Sequence, residues 1–178
     1  MRLERWGPDA FVPRVHEAMA LYAAAMGYHR SVVPARSGHA AAHAERRGFL
    51  CVAALDSQDV LLGFGYCYSV APGQWWHDQV ERAVGREAAR TWLPGALELC
   101  ELHVSPLCQG RGIGRSVLLE LLRDAENPRV LLSTPEGDTR AWRLYRGLGF
   151  LDVARRHLFP GDTRPFAVLG AALPLSAE

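Results

Sequence analysis

Residues 97–122, LELCELHVSPLCQGRGIGRSVLLELL, constrain the fold of this chain more than any other stretch. Leu97 to Val104 mix apolar and β-compatible residues and stop at Ser105-Pro106, where proline has no N–H with which to continue a ladder. After the stop come Gln109, Gly110, Arg111, Gly112, Ile113 and Gly114, and then Val117, Leu118, Leu121 and Leu122 at a spacing that predicts a helix. A strand, a glycine turn and a helix therefore follow in order. The first turn of such a helix has N–H groups with no acceptor in the helix and carries the positive end of the macrodipole, so it suits a phosphate. Glycines let the backbone approach an anion without a Cβ in the way, and Arg111 and Arg115 add positive charge.

Several nucleotide-binding motifs share this outline, and two of them fit poorly. A P-loop requires G-x-x-x-x-G-K-S/T, but all twenty Lys+Arg residues are arginines, so its lysine does not exist here. A dinucleotide fingerprint requires G-x-G-x-x-G opening a βαβ unit. This loop reads G-x-G-x-G, and no acidic-ended parallel strand follows at the right distance.

The stretch does resemble the acyl-CoA-binding segment of the GCN5-related N-acetyltransferases (GNAT), which is Q/R-x-x-G-x-G/A after a strand ending L-x-V-x-P. Here Leu102-His103-Val104-Ser105-Pro106 precedes Gln109 to Gly114. A second motif of that family, A-x-x-L-Y-x-x-x-G-F, is matched by Ala141, Leu144, Tyr145, Gly149 and Phe150, at the family's usual distance downstream. The resemblance covers roughly residues 49–173 and concerns the cofactor half. It implies an α/β fold with a mixed, largely antiparallel sheet of six to seven strands flanked by helices. It also implies acetyl-CoA as acyl donor and a primary amine as acceptor.

The length of 178 residues, 49% hydrophobic content and formal charge of +1 fit one soluble domain, residues 1–178, with no basic footprint for nucleic acid. Glu4, Asp9, Arg14 and Glu17 interrupt every early apolar run, and no apolar stretch of about 18 residues occurs, so a cytoplasmic protein without a membrane span is expected. Cys51 and Cys67 lie in apolar, strand-like runs and suit buried thiols. Cys100, His103 and Cys108 have no fourth ligand at zinc-site spacing, so no metal is expected.

Along the chain, a short strand is expected within residues 1–12, then a helix from Val15 to Met26 stopped by Gly27, and a second helix from Ser37 to Arg47. Phe49–Leu55 and Val60–Val70 read as a hairpin turned at Asp56–Asp59. Residues 71–94 are far longer than a hairpin loop, and Val80, Ala83, Val84 and Glu87 predict a helix inserted there. A short strand at 130–132, a helix carrying Ala141 to Tyr145 with Asp138 as cap, and strands at 150–159 and 164–173 complete the reading.

Acetyl transfer needs a held donor, a neutral amine and a proton for the departing thiolate. A lysine-like amine with a pKa of about 10.4 is only about one part in two thousand neutral at pH 7, so a base or water chain is useful. In the resembled family the base falls on Glu98 in histone-type members and on Glu101 in many small-molecule members. Simple alternation puts the two on opposite strand faces, although a bulge in the family's strand can re-aim them. The resemblance makes Tyr145 the general acid for the thiolate, pairs Leu102, His103 and Val104 with the pantetheine arm, and lays Gln109, Gly110, Arg111, Gly112, Ile113, Gly114 and Arg115 along the diphosphate. Asp138 stands where the family commonly has a cofactor-contacting asparagine, and a carboxylate cannot donate as that amide does. Trp75 and Trp76 offer aromatic faces for an acceptor, or else pack the inserted helix. A non-catalytic acyl-CoA sensor and a protein-interaction module using the tryptophans are the competing classes. The acceptor, small molecule or peptide, and a homodimeric state stay open.

Overall fold

The proline stop after Val104 sets the end of the fourth strand, and the glycines after it set the start of the fifth helix. In this computed structural model, which describes residues 1–175, the strands are β1 (Arg2–Trp6), β2 (Leu50–Leu55), β3 (Leu61–Ser69), β4 (Leu97–Val104), β5 (Arg129–Pro135), β6 (Leu151–His157) and β7 (Phe166–Ala172). The helices are α1 (Pro8–Phe11), α2 (Val15–Met26), α3 (Val33–Ala44), α4 (Trp75–Trp92), α5 (Ile113–Leu122) and α6 (Arg140–Gly147). Seven strands in the order β1-β2-β3-β4-β5-β7-β6 form a mixed, mostly antiparallel sheet flanked by helices, the expected fold class. The chain divides into two compact units: residues 1–68 with 99–124, and residues 69–98 with those from 125 onward.

The first unit is built on an antiparallel meander. β1 pairs with β2 from Arg2↔Leu55 to Trp6↔Cys51, and β2 pairs with β3 from Leu50↔Cys67 to Leu55↔Leu61. The β2–β3 turn forms where expected: the Asp56 carboxylate accepts from the N–H groups of Gln58 at 2.8 Å and Val60 at 2.9 Å. Gly27, at φ 69°, ends α2 by donating to the carbonyls of Ala23 and Ala24. The next helix departs from expectation. It begins at Val33 rather than Ser37, because a 3-10 turn over Arg30–Val32 leads into it and Pro34 stands in its first turn, where a missing N–H costs nothing. It ends at Ala44, short of Gly48. Phe11, Met19, Phe64 and Tyr66 are fully buried at the centre of this core. Burial pushes the Cys51 thiol up, and likewise the Cys67 thiol to about 12, so both act as small apolar groups.

In the second unit β7 lies between β5 and β6 and is antiparallel to both, paired from Arg129↔Ala172 to Pro135↔Phe166 on the β5 side. The parallel ladder between β4 and β5 contains two pairs, Leu97↔Val130 and Glu98↔Leu131, although β4 runs on to Val104. Helix α4 fills the long segment, but it is two pieces, since Gly85 has φ 77° and ψ 166° and breaks the single helical series that Val80 to Glu87 implied. Its end lies against β7 only because Gly170 has no side chain: a Cβ there would come within 2.5 Å of the Trp92 ring. No described helix is long and apolar enough to cross a membrane.

Candidate active site

The loop between β4 and α5 is shaped by its backbone. Pro106–Cys108 forms a 3-10 turn closed by Cys108 N–H donating to the Ser105 carbonyl at 2.8 Å. The Gln109 amide donates to the Val104 carbonyl at 3.2 Å, so this side chain ties the loop to the strand. Gly110 and Gly112 both have φ 79°, a left-handed conformation that costs a residue with a Cβ about 1–2 kcal/mol. A Cβ at either would meet nothing within 4 Å, so the space in front of the backbone is open. Gly112 is the N-cap of α5, and burial of Ile113, Val117, Leu118, Leu121 and Leu122 anchors that helix. Arg111 and Arg115 are exposed, and neither makes an ion pair among the described residues. Open space, an α5 N-terminus of ten-residue helix and two exposed guanidiniums fit the diphosphate of a CoA thioester.

β4 has two unlike faces in this unit. A Cβ on Gly65 would come within 2.9 Å of Leu102 Cδ1, 3.1 Å of the Glu101 carbonyl and 3.2 Å of Val117 Cγ1. One on Gly63 would meet the His103 carbonyl at 3.0 Å, Ile113 at 3.2 Å and Val104 at 3.3 Å. Leu102 and Val104 thus share an apolar face with α5, and two β3 glycines let them close on it.

The other face is polar and lies under α2 and α3. Tyr66 Oη and His43 Nδ1 are 3.0 Å apart, and Cys100 Sγ is 3.6 Å from each. Glu101 Oε2 and His103 Nε2 are 2.5 Å apart, with side chains 15% and 12% exposed. The His103 ring meets the Tyr22 ring edge-on at 4.9 Å and lies 5.8 Å from Phe64. Cys100 lies against Tyr66 and the His103 ring against Phe64, and those two β3 rings stack on one face although Cys100 and His103 are three residues apart. Strict alternation therefore does not describe the strand between Cys100 and His103. Burial, then Arg46, lowers the pKa of His43 to about 4 against the opposing pull of Glu101, so the ring is neutral at pH 7. Burial, then Cys100 and Glu101, raises the Tyr66 phenol well above its usual value.

The second unit carries the remaining candidates. Glu98 is buried, 3% exposed, in the short ladder with Leu131. Tyr145 is buried in α6 with its ring 5.5 Å from Phe150. Thr139, not Asp138, caps α6, its hydroxyl accepting from the Trp142 N–H at 3.0 Å. The exposed Asp138 carboxylate pairs instead with Arg143. The two tryptophans separate: Trp76 is buried and donates to Ser133 Oγ at 3.1 Å, whereas Trp75 is 55% exposed with its ring 5.6 Å from Phe159. Among the described residues one group has metal-ligand proximity, His77, Asp78 and Glu81. His77 Nδ1 is there already hydrogen-bonded to Asp78 at 2.8 Å.

The model of the acetyltransferase (GNAT) family matches residues 15–150. This chain belongs to the GNAT family. It is an N-acetyltransferase. The chain is 38% identical to the GCN5-like protein acetyltransferase Rv2170 of Mycobacterium tuberculosis, with 94% of this chain and 96% of that protein aligned. It is also 39% identical to the N-alpha-acetyltransferase RimI of that organism over 66 residues, 37% of this chain and 42% of the relative. Among solved folds, yncA of Salmonella typhimurium with its cofactor acetyl-CoA superposes with a TM-score of 0.66 at 15% identity, covering 100% of this chain and 98% of the other.

The sequence marks the GNAT loop and strand but carries no local sign of His43 and Tyr66, which come from separate elements and meet only in the fold. Glu101 and His103 stand apart in the roles that the resemblance implies. Their separation of two along one strand was the signal that joins them, since such residues share a face.

Proposed function

We propose that this GNAT enzyme transfers the acetyl group of acetyl-CoA to an amine on a protein acceptor by direct attack. The observation that carries the acceptor class is the end-to-end likeness to a protein acetyltransferase, at 38% identity over 94% of the chain. In this reading the two units work as one acyltransferase domain, residues 1–178, in the cytoplasm. The loop from Gln109 to Arg115 holds the diphosphate through its backbone N–H groups, with Arg111 and Arg115 supplying charge and Gln109 bracing the loop from Val104. Leu102, His103 and Val104 receive the pantetheine arm as an added strand, which the ending of the β4–β5 ladder at Glu98↔Leu131 supports. A β4 N–H polarises the thioester carbonyl.

Removal of the amine proton rests on a strand-four glutamate, directly or through a side chain that it holds, and Tyr145 gives a proton to the departing sulfur. Of the two glutamates the geometry favours Glu101, because its carboxylate is partly open and hydrogen-bonded to a second titratable side chain. Asp138, paired with Arg143, is a poor donor for the cofactor. Trp75 is the exposed aromatic available to the acceptor, since Trp76 is built into the core of its unit.

The test is acetyl-CoA turnover with three acceptors: a lysine peptide with a blocked N-terminus, a lysine-free peptide with a free N-terminus, and a panel of small amines. Thiol release and the mass of the product are the readouts. Acetylation of one peptide class is expected. Turnover confined to small amines would refute the protein acceptor, and tight acetyl-CoA binding without any turnover would make the chain a sensor.

A further inference from the structure

We propose that His103, held by Glu101, is the group that takes the proton from the acceptor amine, and that Glu101 is the residue that positions it. The proposal rests on the N-acetyltransferase reading above and names the proton acceptor within it. In this arrangement Glu101 Oε2 accepts the Nε2–H of the ring, 2.5 Å away, which makes Nδ1 the nitrogen that offers a lone pair. Among the described residues Nδ1 has no hydrogen-bond partner, and the side chain keeps 12% of its surface open.

The ring is also fixed in orientation. Tyr22 of α2 meets it edge-on at 4.9 Å, and Phe64 of β3 lies 5.8 Å away. The titratable and charged groups around the pair are Tyr22 and, stacked over it, Arg36 of α3, together with His43 of α3 and Tyr66 of β3, both of which couple to the Glu101 charge. Among the described residues Glu101 is thus the one carboxylate bonded to this ring, and it can hold the imidazolium once the ring is charged. A base oriented by a third group is the arrangement that nucleophile-activating pairs share.

One proton of the acceptor ammonium passes to His103 Nδ1 and on to water. The freed nitrogen bonds to the thioester carbonyl carbon as the carbon–sulfur bond breaks. The proton lost by the new amide nitrogen offsets the one taken up by the departing sulfur.

Two measurements test it. In protein labelled with nitrogen-15 at histidine, the His103 signal is identified by its absence from the His103→Asn variant. It should show the Nε2–H tautomer at neutral pH and lose that preference in Glu101→Leu. An Nδ1–H ring, or one indifferent to Glu101→Leu, overturns the pair, whatever the activity. In turnover with the two peptides, His103→Asn should lower kcat by about 10²–10⁴-fold and remove the acidic limb of the pH–rate profile, with acetyl-CoA affinity unchanged. Glu101→Gln should lower kcat by a smaller factor and move that limb without removing it. A His103→Asn enzyme that keeps its rate and its acidic limb overturns the proposal. If the wild type binds acetyl-CoA but acetylates neither peptide, the function reading falls, and the tautomer alone decides whether the pair exists.

Discussion

The glycine loop and the polar face of β4 adjoin in sequence but are determined by different means. The loop is exposed, and two left-handed glycines with open space before them define it. The polar face is partly buried, and side chains from α2, α3, β3 and β4 define it together: Tyr22, His43, Tyr66, Cys100, Glu101 and His103. A feature of the first kind can be changed without disturbing the core. A feature of the second kind cannot be separated from packing. In the proposed function donor binding falls to the exposed loop, where a change leaves the core intact, and proton transfer to the polar face, where a change also alters packing.

The comparison predicts most sharply for the glycines. Gly65→Val should destabilise the protein by about 3 kcal/mol, because its Cβ lies within 3.1 Å of the Glu101 backbone and overpacked cores cost about 1–3 kcal/mol or more. A thermal melt close to wild type would show that β4 and β3 are less tightly apposed than described.

For chemistry, Tyr145→Phe should lower kcat by about 10²–10⁴-fold with the KM for acetyl-CoA little changed, as expected of a group that acts on the leaving sulfur. Because the ring packs on Phe150, the variant keeps its core contact, and an unchanged kcat would reduce Tyr145 to a packing residue.

The buried face also predicts a pH dependence that the loop lacks. His43 has a pKa of about 4 in the fold against 6.5 when unperturbed, so the unfolded chain takes up its proton first. Its contribution is present above pH 6.5, falls as the pH drops towards 4, and changes no further below that. His43→Gln should flatten this part of a stability–pH curve measured by urea unfolding. An identical slope in the variant would assign the acid sensitivity elsewhere.

The smallest effect is expected at Trp75. Trp75→Ala should raise the acceptor KM several-fold and leave acetyl-CoA affinity intact, whereas Trp76→Ala should lower stability through loss of its core contacts and its bond to Ser133. If the two variants behaved alike, the division between exposed and anchored tryptophan would fail.

What the sequence made legible follows the same division. Local backbone signals were readable: Pro106 ends β4, Gly112 starts α5, Gly27 ends α2 and Asp56 closes the hairpin. Apolar periodicity found a helix in residues 71–94 but not its break, because a glycine at positive φ leaves the surrounding spacing unchanged. Trp75 and Trp76 are adjacent, so only packing decides which turns inward. Tyr66 lies 23 residues from His43 and Cys100 lies 57 from it, distances at which no local pattern signals contact. Alternation does not hold between Cys100 and His103, three residues apart yet both set against the face of β3 that carries Phe64 and Tyr66.

In the proposed function the loop carries acetyl-CoA binding and the polar face of β4 carries proton transfer. The most direct test is the calorimetric affinity for acetyl-CoA of the wild type, Gly112→Val and Glu101→Gln, each confirmed as folded. The account predicts that Gly112→Val abolishes binding, since a branched side chain would occupy the open space before the loop, while Glu101→Gln binds as the wild type does. Unchanged affinity in Gly112→Val, or equal loss in both variants, would contradict it.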